Sequence, residues 1–257
     1  DKIPWTDWRI KGFTGLEVLS CYSSARKASI LRLLAFPARY WVNSKFALTG
    51  TLRYPTENME KWYKLNQVED GFDYYGIFAL DAHAKLPVTK KFQFNFPSYA
   101  SMFEIMTVYV KVGDMVTKSP ALASQQVVEG LKKGNFFNVV ESIAPANGFE
   151  CRFEDKLGNI TEMGGRTART GGRLLLKMPF EFDTDILVKR NGKDYQRISS
   201  DKRKELEILV DGKGFYHLEI YASDHLFDDL PWILTNPFFV GYGEKVKVDT
   251  GILSAES

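Results

Sequence analysis

Apolar residues along the first hundred positions fall into two alternating patterns. Short runs at Gly15–Leu19 (GLEVL) and Tyr75–Leu80 read as buried strands. Between them, Ile30, Leu33 and Leu34 fall at helical spacing within 24–36, a run that Pro37 is expected to end. A second helix is expected after Pro55. Thr56 is placed to cap it, Glu57 and Glu60 favour its positive end, and Met59 with Trp62 supplies an apolar stripe. Strand, helix, helix, strand is the order of a parallel sheet or barrel covered by helices.

The pattern changes after His83. Residues 87–103 are aromatic and proline-marked and read as a long excursion from a strand end, followed by a strand-like stretch at Glu104–Val110. Residues 121–133 fit a helix, with Lys132 and Lys133 at its negative end and Gly134 at its stop. From there onward strands and tight turns dominate. Leu174, Leu176 and Met178 share one face, as do Leu206, Ile208 and Val210. Asn191-Gly192 and Asp211-Gly212 mark hairpins, and Pro237 interrupts the last strand, which argues for an edge or bulge. Two domains are expected, an α/β part over 1–142 and an antiparallel sandwich over 143–257.

Composition adds limits. Hydrophobic residues make up 44% and charged residues 26% of the 257, as in well-packed globular chains. A net charge of +2, spread without a dominant block, gives no reason to expect nucleic acid or an anionic membrane as partner. No apolar stretch reaches the ~18 residues of a membrane span. Cys21 and Cys151 form no disulfide framework, and both cytoplasmic and exported homes fit. The start, DKIPW, carries neither an initiator methionine nor a signal-peptide pattern, as in a mature chain or a fragment.

Candidate chemistry gathers where the two early strands end. Glu17 lies near the end of the first, and Asp81 and His83 lie just beyond the second. In extended backbone an i,i+2 pair points the same way, so a carboxylate and an imidazole could share a cation, with Glu17 as a third ligand. Bound cations would acidify a water for hydrolysis. A histidine hydrogen-bonded to its neighbour is the plainer reading. Arg53 could hold a substrate phosphate or carboxylate, or simply close a surface loop.

GFTGLEVLS and GIFALDAHAK, in this order, resemble metal-binding segments of the polymerase-and-histidinol-phosphatase (PHP) superfamily. More closely, the chain is similar to its metal-dependent hydrolases with a β-rich C-terminal domain. TLRYP before a Trp-bearing helix, ALASQQVVEGLKKGNFFNVV, and the closing Trp, Thr-Asn-Pro and Phe-Phe fit that layout. The resemblance implies the C-terminal half of a distorted seven-stranded β/α barrel followed by an antiparallel β-sandwich. It implies two or three divalent ions (Zn, Mn or Fe), with Glu17 bridging metals and Asp81 and His83 as ligands, and a small ester substrate, phosphorylated in most members. The family's opening His-x-His strand has no match here. The resemblance therefore also implies an N-terminal segment or companion chain that completes the barrel.

Other groups carry plainer readings. Asp224, His225, Asp228 and Asp229 fit a solvated turn better than a cation site, and 164–172 (GGRTARTGG) fits a mobile connection better than an anion-binding loop. Trp232 could belong to a carbohydrate platform or be buried in the sandwich. The alternative to hydrolysis is a catalytically inactive binding or interaction protein that binds carbohydrate through its β-rich domain.

Overall fold

The computed structural model describes residues 7–26, 30–83, 86–87, 93–94, 97–113, 119–223, 227 and 229–244. The chain opens with β1 (Gly15–Ser20), α1 (Cys21–Arg26), α2 (Ile30–Val42), α3 (Ser44–Thr49), α4 (Thr56–Gln67) and β2 (Tyr75–Ala79). It continues through β3 (Leu86–Pro87), β4 (Gln93–Phe94), α5 (Tyr99–Phe103), β5 (Thr107–Val110), α6 (Pro120–Lys132) and β6 (Phe136–Val139). The remainder is all strand: β7 (Glu150–Asp155), β8 (Ile160–Glu162), β9 (Arg166–Thr167), β10 (Gly171–Lys177), β11 (Thr184–Arg190), β12 (Lys193–Ser199), β13 (Glu205–Asp211), β14 (Gly214–Ala222), β15 (Ile233–Thr235) and β16 (Phe238–Val240). Pro37 lies inside α2 rather than ending it, and Pro55, with no side-chain cap, takes the position before α4 that Thr56 was expected to hold.

An antiparallel sheet of β13, β10, β7 and β8 faces a larger sheet whose main path runs β12-β11-β14-β15-β6-β5. Alternation along the strands decides what lies between them. Phe153 of β7, Leu174 and Leu176 of β10, and Leu206 and Ile208 of β13 meet Ile186 and Val188 of β11 and Leu218 and Ile220 of β14 in one core. The β11–β12 hairpin turns at Asn191-Gly192, both with positive φ (52° and 78°), the conformation that favours asparagine and glycine.

The large sheet is covered on its other face as well. Phe215, Leu234 and Phe239 join a second core with Trp62 and Tyr63 of α4, Val18 and Leu19 of β1, and Tyr75 and Phe78 of β2. This explains why β14 is buried almost throughout. Gly134, at φ 70°, closes α6 where the Tyr75 ring occupies the place of any Cβ.

Two side-chain amides dock β2 onto this sheet. Asn138 Oδ1 accepts from Phe78 N at 2.8 Å, and Asn138 Nδ2 donates to Gly76 O at 2.9 Å. Asn236 Oδ1 accepts from Gly76 N at 2.8 Å, while its Nδ2 donates to Phe136 O at 3.0 Å. These amides stand in for the neighbouring strand that β2 lacks, so its buried peptide groups stay paired.

The same arrangement corrects the expected barrel. β1 and β2 pair in parallel with each other alone, and among the described residues the sheets have two, four, eight and two strands, none closed. Half of a distorted seven-stranded barrel is not what these elements build. No helix among the described residues is long and apolar enough to cross a membrane.

Candidate functional site

Glu17 stands in the middle of β1, opposite Ile77 of β2, while Asp81 and His83 lie beyond the end of β2, and Asp81 departs from the extended backbone on which their convergence was argued. Its φ is 43°, so the chain turns and the i,i+2 geometry is lost. His83 folds back, with Nδ1 2.8 Å from the Asp81 carbonyl oxygen and 3.3 Å from Oδ1. Glu17 sits on an exposed position of β1. Partial burial of its carboxyl raises its pKa first, a Ser20 hydrogen bond offsets this, and the Asp81 charge raises it further. Among the described residues no three His, Cys, Asp or Glu side chains stand together to hold a metal ion. That overturns the expected centre of two or three divalent Zn, Mn or Fe ions.

Arg53 is half-buried and donates from one guanidinium nitrogen to the carbonyls of Gly50, at 3.1 Å, and Leu52, closing the loop after α3. Both cysteines are free and buried, and burial with the Asp81 charge pushes the Cys21 thiol up to about 11. Trp232 is wholly buried and donates to Ala144 O at 2.6 Å, so it offers no platform. In the glycine-rich segment Arg166 is paired with the buried carboxylate of Asp73 and lies over the Phe239 ring at 5.4 Å. Of the acidic turn, Asp224, His225 and Asp228 lie outside the described residues, while Asp229 is exposed.

A different cluster stands on the outer face of the large sheet. In β14, His217, Glu219 and Tyr221 alternate onto that face and lie opposite Lys189, Leu187 and Asp185 of β11. Arg197 of β12 pairs in register with Leu187, which completes a polar row. Glu219 is 1% exposed. Its Oε1 accepts from Tyr54 Oη at 2.6 Å and Tyr63 Oη at 3.2 Å, and its Oε2 from Tyr221 Oη at 2.8 Å. A buried carboxylate is tolerated only when its lone pairs are met, and three phenols from three segments meet them here. Burial first, and the Glu219 charge second, hold all three phenols above their usual range, so they remain protonated donors.

At this cluster opens a cleft of about 590 Å3, whose lining includes Tyr54, Asp185, Lys189, Arg197, Glu219, Tyr221 and Asp229. Lys189 pairs with Asp194 at 2.6 Å and Arg197 with Asp185 at 3.5 Å. Because each phenol O–H is committed to Glu219, the oxygen lone pairs of Tyr54 and Tyr221 are what these hydroxyls can offer a ligand. Sequence reading passed over this site. One signal was present: Glu219 stands in a strand-forming run, YHLEIYA, that is otherwise uncharged at neutral pH apart from His217, and a carboxylate there needs a reason.

No protein-family model, curated protein or solved structure matches the chain. Together with the open sheets and the absence of a ligand trio among the described residues, this overturns the expected place in the PHP superfamily. Metal-dependent phosphoester hydrolysis falls with it. The phosphorylated ester substrate and the barrel-completing segment or chain rest on that membership alone.

Proposed function

We propose that this protein binds a small polyhydroxylated ligand of the saccharide type, without catalysis, in the cleft over β11, β12 and β14. The observation that carries the reading is the buried Glu219 carboxylate, which fixes the Tyr54 and Tyr221 hydroxyls at the cleft floor. A site whose polar atoms are held before the ligand arrives loses little freedom on binding. The cleft volume falls within the range of roughly 300–1,000 Å3 common to small-molecule sites. Its lining also suits hydroxyl groups, which both donate and accept. The Asp185–Arg197 pair offers an acceptor beside a donor, and the phenol oxygens accept. A phosphorylated ligand is disfavoured by the Glu219 and Asp229 charges.

Affinity chromatography on immobilised mono- and disaccharides tests this. The wild-type protein is expected to be retained on at least one column, and Asp185→Ala, which removes an exposed acceptor without touching either core, to lose retention about tenfold, the worth of one charged hydrogen bond. Elution of the wild type in the void volume from every column contradicts the reading, as does equal retention of the variant.

A further inference from the structure

We propose that the ligand of this cleft carries a protonated amine, so that among saccharides it is an amino sugar rather than a neutral one. The inference rests on the cleft being the ligand site and adds to it from the balance of charge. Both cations that line the cleft are already engaged, Lys189 by Asp194 and Arg197 by Asp185. Among the described residues no Lys, Arg or His pairs with Glu219 or Asp229. Among the described residues the cleft lining thus holds two carboxylates, Glu219 and Asp229, with no cation paired to them.

Glu219 lines the cleft but is only 1% exposed, and the phenols carry its charge outward. Each Tyr O–H points inward to the carboxylate, which leaves the negative end of its dipole facing the cleft at Tyr54 and Tyr221. An ammonium group brings only donors and no acceptor, which matches a site whose floor offers only acceptors. A neutral hydroxyl donates one hydrogen and brings no charge, so it gains less there than an ammonium does.

The test is a pair of ligands that differ at one group. D-glucosamine and D-glucose are titrated into the full chain near pH 6, where the amine is protonated, with binding followed by calorimetry and by the NMR signals of Tyr54 and Tyr221. Glucosamine is expected to bind at least tenfold tighter, with an advantage that shrinks as salt is raised and largely disappears in Glu219→Gln. Should that variant fail to fold, Asp229→Asn, at an exposed position, carries the same expectation in smaller degree. Equal binding of the two sugars overturns the amine inference and leaves the saccharide reading standing. No response of Tyr54 or Tyr221 to either sugar overturns both.

Discussion

His217 shows what one buried side chain on the polar face does to the pH response of the whole protein. It is fully buried, stacked on Tyr63 at 5.4 Å and tilted against Trp62 at 5.0 Å, and neither ring nitrogen has a hydrogen-bond partner. Burial first, and the nearby Lys189 charge second, pull its pKa from 6.5 down to about 3. The unfolded chain thus binds one more proton than the folded chain between those values. The histidine's contribution is intact above pH ~6.5 and is lost as pH falls from there toward 3. Moving from pH 7 to pH 5 should cost about 2 kcal/mol by this linkage. His217→Phe keeps the ring stack, takes up no proton and removes two unsatisfied nitrogens. Urea denaturation should therefore find the wild type losing ~2 kcal/mol more than the variant between these pH values. Equal losses in the two proteins would show that His217 is hydrated or paired.

At the scale of elements, the joint between β2 and β6 depends on Asn138 and Asn236 rather than on a backbone ladder. Asn138→Ala leaves the Phe78 N–H and Gly76 C=O buried without partners, a loss of roughly 2–6 kcal/mol at about 1–3 kcal/mol per group. Hydrogen exchange at the Phe78 amide should accelerate strongly while the β10 and β13 amides change less. Unaltered exchange at Phe78 would mean that the amide bridge does not hold this ribbon. Much of the element order was legible: the apolar runs of β1 and β2, the helix over Pro120–Lys132, and the hairpin at Asn191-Gly192 follow from periodicity and turn chemistry. How β2 is joined to the rest was not, because an asparagine that replaces a strand looks in sequence like any polar residue near a turn. The barrel expectation failed at that point. The candidate site was hidden for a similar reason. Tyr54, Tyr63 and Tyr221 come from a loop, a helix and a strand, and only the third dimension brings them to Glu219.

The molecule as a whole places its large sheet between two apolar cores, one shared with the smaller sheet and one with α4 and the β1–β2 ribbon. Polar groups on β11, β12 and β14 line the cleft. The net charge of the chain is only +2. Recognition therefore falls to local geometry rather than to long-range attraction. The most direct test is a crystal structure of the protein soaked in saturating D-glucosamine. The sugar is expected in the cleft, with its amine within hydrogen-bond distance of the Tyr54 or Tyr221 hydroxyl and a ring hydroxyl on Asp185 or Arg197. A sugar bound elsewhere, or a cleft left open to solvent and holding only water at saturation, would contradict it.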